Sequence, residues 1–317
     1  MASPKTSLTR YAWLSLGTAL LTIALKTGAY ILTGSVGLLS DAVESLVNLA
    51  GAILALVMLS YAARPADEKH PFGHSKAEYF SSAFEGLLII FAAIAIIYTA
   101  GGRLLHPQPL EQMGIGLVAS LIASLLNFAT ARILLRAGKQ HESIILEADG
   151  RHLMTDVWTS AGVVLGLALA WLTGWIWLDA VIAILVALQI IYIGTGILRR
   201  SFDGLMDAVL PTEEMEKIRQ AMVAFQQQGI AFHALQARRA ASERFITVHM
   251  LFPGDWTVHR AHCLAEDFEN EVRAQLKNTT ISTHLESLED SRSFHHQGGE
   301  CELRVETEKL ESESPTA

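Results

Sequence analysis

The sequence predicts an α-helical membrane protein, with six transmembrane helices followed by a cytosolic αββαβ domain of ferredoxin or metallochaperone type. Composition is the first of three observations behind this. The 317 residues are 51% hydrophobic and only 18% charged, where a soluble chain usually carries about 25% charged residues. The second is distribution: the apolar excess sits in roughly the first two hundred residues, and the rest reads as an ordinary small soluble domain. The third is that Lys and Arg crowd into alternate loops.

A helix needs about 20 mainly apolar residues to cross a bilayer. Six segments qualify: Tyr11–Leu32, Val36–Tyr61, Phe80–Leu104, Gln112–Leu135, Ser143–Leu172 and Trp175–Leu198. Lys5, Arg10, Arg64, Lys69, Lys76, Arg132, Arg136, Lys139, Arg199 and Arg200 fall in the termini or the even-numbered loops, and the opposite loops hold only Arg103. Both termini are therefore expected in the cytosol, with a bacterial inner membrane as the simplest setting. Met1–Arg10 is too short to be a cleaved signal with its own apolar core.

The expected organisation is a cytosolic N-terminus 1–10, a six-helix domain 11–206, a small domain 207–288 and a polar, acidic, disordered tail 289–317. In the small domain Thr212 is placed to cap a helix that carries Glu213 and Glu214 in its first turn and ends near Gln227. Ala231–Arg239 and Arg244–Phe252 read as strands. The second alternates Phe245, Thr247, His249 and Leu251 against Ile246, Val248 and Met250. Val258–Lys277 reads as a helix and Thr280–Leu285 as a last strand, giving a sheet with two helices on one face.

Several function classes are excluded or disfavoured. The net charge of −8 and the lack of a clustered Lys/Arg stripe speak against nucleic acid as a partner. Two cysteines, Cys263 and Cys301, are too few for a disulfide framework or a thiolate zinc finger.

Ionisable groups inside a membrane are costly, so each is a functional hypothesis. Asp41, Glu44 and Asn48 in the second span are spaced i, i+3, i+7, and His152 and Asp156 in the fifth are i, i+4. Each set lies on one helical face. Carboxylate, amide and imidazole donors from two helices make a cage for a cation of the zinc type or its first-row neighbours. Helix-packing hydrogen bonds are the bland reading of any one of them. Two i, i+4 pairs in two spans favour the metal.

Two further groups follow. The loop Asp67-Glu68-Lys69-His70-Pro71-Phe72-Gly73-His74-Ser75-Lys76 places a carboxylate and two imidazoles beside a Gly/Pro turn, which reads equally as a second metal site or a solvated loop. In the small domain His233, His249, His262 and His284, with Glu286, fall on or beside predicted elements; core or surface positions are the bland reading for some of them, and a shared metal cluster is the sharper one. His295, His296 and Cys301 read as incidental.

Leu39–Asn48, His70–Glu78 and His152–Asp156 resemble the cation diffusion facilitator family, over Leu14 to about Glu286. The resemblance implies a homodimeric secondary transporter, not an enzyme. It would exchange zinc, iron, cobalt, manganese or cadmium for protons across the bilayer. It places the transport site at Glu44, Asn48, His152 and Asp156, a loop site at Asp67, His70 and His74, and cytosolic sites at His233, His249, His262, His284 and Glu286. An ion pair between protomers would join Lys76 to Asp207. Residues 11–206 would then be the transport domain and 207–288 a metal-binding dimerisation domain. Family members usually hold Asp or His at the position of Glu44 and Asp at that of Asn48, so this site carries one negative charge fewer, and Asp41 stands one turn away to supply charge from behind the ligands. A membrane-anchored metal sensor is the rival reading. An intramembrane metallohydrolase would want a motif such as His-Glu-x-x-His, which the sequence lacks.

Overall fold

The computed structural model describes residues 8–33, 36–105, 115–173 and 177–294, without the side chains of 32–44 and a few others. The chain divides into two compact units, Met1–Met206 and Asp207–Ala317.

The first unit is built from six long helices, α1 Thr9–Thr33, α2 Val36–Ala62, α3 Ala77–Leu105, α4 Ile115–His141, α5 Ile144–Thr173 and α6 Trp177–Leu205. Among the described residues, four stretches are long and apolar enough to cross a membrane: Thr9–Ile31, Ala77–Gly102, Val118–His141 and Ala180–Leu205. The expected six spans therefore stand as six helices, four of them apolar enough on these residues. The described apolar part of α2, Asn48–Ala62, is shorter, and α5 carries Glu147, Asp149, Arg151, His152 and Asp156 along its first half. Helices α4 and α6 run past the predicted ends, to His141 and Leu205. Hydropathy marks where the apolar stretch stops, and nothing in Arg136–His141 or Arg199–Leu205 breaks a helix.

Helices α1, α2, α4 and α5 share one core of Ala12, Ala55, Leu59, Ala131, Leu134, Ile145, Leu146 and Leu153. Helices α3, α5 and α6 share a second, around Ile89, Ala93, Ala148, Ala187 and Ile190, so α5 belongs to both. Small residues recur in both seams, where backbones approach closely without a hydrophobic drive. A Cβ built on Gly194 would lie 2.8 Å from Ile90 Cγ1, and one on Gly150 2.9 Å from Leu135 Cγ. Buried hydroxyls add cross-links, Thr18 to Thr130 at 2.8 Å and Ser82 to Ser201 at 2.7 Å. Large apolar residues such as Trp13, Phe91, Tyr98, Leu125 and Tyr192 stand exposed on the outside, the surface expected against lipid.

The second unit runs α7 Thr212–Gln226, β1 Ala231–Ala240, β2 Glu243–Phe252, α8 Val258–Gln275 and β3 Thr279–Ser287. The sheet order is β1-β2-β3, antiparallel between β1 and β2 and parallel between β2 and β3. Ile246, Val248 and Met250 face the core with Ile218, Phe232 and Phe268, and His249 lies on the other face as the alternation requires. One local expectation is corrected. Pro211, not Thr212, is the N-cap residue of α7, and no side chain caps the helix. Its start is held instead by Pro211, whose fixed φ suits the helix edge and whose carbonyl accepts from Glu214 and Met215. Glu214 forms a two-pronged ion pair with the buried Arg244 at 2.6 and 2.8 Å.

Candidate metal centres

Inside the helical unit, Asn48 of α2 lies between His152 and Asp156 of α5. Its Nδ2 donates to Asp156 Oδ2 at 2.5 Å, and its Oδ1 is 2.7 Å from His152 Nε2. The chemistry orients this chain of bonds. A carboxylate only accepts, so the amide NH2 faces Asp156, the carbonyl faces His152, and His152 carries a proton on Nε2. Asn48 and His152 are buried, at 8% and 7% exposed. Thus, of the polar residues spaced along α2, Asn48 meets the i, i+4 pair of α5. The side chains of Asp41 and Glu44 lie outside the described residues.

Three buried side chains that sequence reasoning passed over lie close by. Asn127 of α4 donates to Asp156 Oδ2 at 3.3 Å, while its own Oδ1 finds no donor among the described residues. Asp149 sits three residues before His152, and Glu85 comes from α3; both are buried. An i, i+3 relation to His152 and a carboxylate in mid-span were signals available for Asp149 and Glu85. Asn127 offered only a lone amide in an apolar helix.

The loop group forms around a tight turn. Asp67 Oδ1 accepts from the backbone N–H of His70 at 2.7 Å and of Lys69 at 2.9 Å. These donors, His70 first, hold the Asp67 carboxyl below the usual carboxylate range. Gly73 takes a φ of 81° and donates to the His70 carbonyl, which turns the chain back. His74 Nε2 then lies 3.1 Å from His70 Nδ1 and 3.4 Å from Asp67 Oδ2, with its ring buried edge-on against Tyr61. One atom from each of Asp67, His70 and His74 fits within a 4.8 Å group, the size of a metal-ligand set. Lys76 Nζ reaches the Leu205 carbonyl at 3.4 Å.

In the sheet unit the register sets His233, His249 and His284 side by side on three adjacent strands. Glu286 Oε2 is 2.6 Å from His233 Nε2, and its Oε1 is 3.1 Å from His249 Nδ1 and 3.6 Å from His284 Nε2. His233, His249 and Glu286 form the tight group, with the more exposed His284 at its edge. His262 is exposed on α8 and is not in that group among the described residues. Asp207 pairs with Arg238 at 2.9 Å within the same unit.

A chain with apolar helices, buried N and O donors inside them and two outlying His/carboxylate groups defines a class of metal-handling membrane protein. Residues 12–206 match the family model described as the cation efflux transmembrane domain, and residues 210–288 match that of the cation efflux protein cytoplasmic domain. The chain belongs to this family of cation efflux transporters, the cation diffusion facilitators. It is 52% identical over 286 residues to an uncharacterized transporter, sll1263, of Synechocystis sp., covering 90% of this chain and 92% of that one. It is 29% identical over 276 residues to the cation-efflux pump FieF of Shewanella oneidensis, covering 87% and 92%. With FieF of Pectobacterium atrosepticum it shares 31% over 274 residues, covering 85% and 89%.

Proposed function

We propose that the chain exports a divalent transition-metal cation from the cytosol in exchange for protons, by alternating access. It does so as a homodimer of six-span subunits in a bacterial inner membrane, with both termini cytosolic. Zinc and iron are the first substrates to expect, and cobalt, manganese and cadmium fit the same donor types. The observation that carries the reading is the buried Asn48 bridge between His152 and Asp156, supported by family membership and by relatives named cation-efflux pumps.

The bridge provides a chemical switch. One amide bonds to both groups of α5 and ties α2 to it. In the proton-loaded state His152 is an imidazolium with a proton on each ring nitrogen; a cation needs the Nε2 lone pair, so that proton leaves to solvent while Nδ1 keeps its own. It also needs the Asp156 oxygens, which must give up the amide donors of Asn48 and Asn127. Asn48 then offers its carbonyl oxygen. Loading with metal therefore breaks the α2–α5 bridge and releases a proton, and reprotonation of His152 restores it. Glu44, one turn before Asn48, completes the expected set and brings a second negative charge. The groups Asp67/His70/His74 and His233/His249/Glu286 are proposed as outlying sites, the latter stabilising the dimer when metal is abundant; Lys76 and Asp207 are proposed to pair across that dimer.

Uptake into proteoliposomes tests this. Asp156→Ala should abolish the movement of zinc, iron, cobalt and manganese; movement at the parental rate would refute the site. A sensor would bind metal and move none.

A further inference from the structure

Two buried carboxylates take no part in the bridge. Glu85 on α3 is 2% exposed and Asp149 on α5 is 4% exposed. Helix α3 packs on α5, and the Asp149 carboxylate is close enough for its charge to act on Glu85. Glu85 Oε1, Glu85 Oε2 and Asp149 Oδ2 all lack a hydrogen-bond donor among the described residues. Two buried hydroxyls stand by. Ser81 Oγ, without a partner among the described residues, lies one turn before Glu85 on α3, and Ser15 Oγ of α1 is within reach of the Asp149 carboxylate as a donor. The charged or titratable neighbours acting on Asp149 are His152 and Asp156. No lysine or arginine pairs with either carboxylate among the described residues.

Ionised, such a pair is strongly disfavoured in a dry helical bundle unless a cation compensates it; without one the carboxylates take up protons. Nearby, the close approach of Gly86 and Gly194 brings α3 against α6, with Gly86 O 3.2 Å from a Cβ built on Gly194. Asp149 precedes His152 by three residues, about 4.5 Å along the helix and on the same face. It lies on the side of His152 where α5 begins, the end expected to face the cytosol.

We propose that Glu85 and Asp149, assisted by the Ser15 and Ser81 hydroxyls, form an inner station that binds the divalent cation before it reaches Asn48, His152 and Asp156. This rests on the transport reading above. Its donors are all oxygen, a set suited to hard dications such as manganese and only moderately to zinc. The ion would pass from this oxygen-only station to a mixed imidazole and carboxylate set that holds borderline ions more tightly, so the hand-over runs in the direction of export.

The test uses the full chain, with MnCl2 and ZnCl2 as probes. Bound metal is counted by equilibrium dialysis in detergent, and uptake is measured in proteoliposomes. Glu85→Gln and Asp149→Asn should each lose one bound ion per chain. Each should also raise the half-saturating metal concentration for uptake by about tenfold, the effect of ~1.4 kcal/mol. Glu85→Asp, which keeps the carboxylate, should retain the ion and cover the case in which the amide variant misfolds. An unchanged metal count would overturn the proposal. If the uptake of such variants lost only its response to an imposed pH gradient, the pair would be a proton carrier instead. Loss of uptake in Asp156→Ala alongside parental behaviour in Glu85→Gln would sink the inner station and leave the transport reading intact.

Discussion

Replacing Asn48 by Asp removes the donor that faces Asp156 and puts a carboxylate in its place. In the parent the Asn48 amide gives Asp156 a charge-assisted hydrogen bond and accepts one from His152. Hydrogen bonds to charged groups contribute about 1.5–3 kcal/mol. In Asn48→Asp the metal-free state loses that amount, because two carboxylates held this close must share a proton. The metal-loaded state gains a second anionic ligand. A 1.5–3 kcal/mol shift between the two states corresponds to about ten- to a hundredfold tighter metal binding. The shared proton must leave on loading, so affinity should also rise more steeply with pH than in the parent. The assay is the half-saturating metal concentration for uptake between pH 6.5 and 8.5, over a panel of zinc, iron, cobalt and manganese. An unchanged half-saturation, or an unaltered slope with pH, would refute the idea that the Asn48 amide bridges the two metal ligands.

Other expectations follow from the same geometry. Glu214→Gln strands the buried Arg244 and should destabilise the sheet unit by about 3 kcal/mol at pH 7, read as faster hydrogen exchange in α7 and β2 of the full chain. The Arg244 bond holds the Glu214 carboxyl below its ordinary value of 4.5. The stabilisation is therefore complete above that pH, and the parent–variant difference should shrink as pH falls through the depressed value. Glu286→Gln should reduce the gain in thermal stability of the sheet unit on adding zinc, checked by scanning calorimetry with and without metal. Gly138→Ala drives a Cβ to 2.9 Å from the backbone nitrogen of Glu147. It should cost about 1–3 kcal/mol, read as a lower midpoint of thermal unfolding in detergent.

Much of this architecture was legible because its signals are local. Period-two alternation placed the core face of β2, and a hydropathy window located α1, α3 and α6 without reference to any partner. The pairing of α2 with α5 was legible because a polar face in an apolar helix needs another polar face. What the sequence left out depended on distance. Asn127 reaches Asp156 only because α4 packs closely on α5, through contacts such as Gly150 against Leu135. Glu85 and Asp149 each carried a local signal in the sequence, but their pairing shows only once α3 lies on α5. His262 shows the opposite case: a histidine count on neighbouring elements grouped it with His233, His249 and Glu286, and among the described residues it does not join them. The ends of α4 and α6 were missed because a helix continues past the apolar stretch that betrays it.

Competition between dication and proton for the pair held by Asn48 is read by recording metal influx and lumenal pH together in proteoliposomes loaded at low pH, for the parent and for His152→Ala. The parent should release lumenal protons in step with metal influx, and the variant should show neither flux. Metal influx in the parent with no proton movement, or parental coupling in His152→Ala, would contradict it.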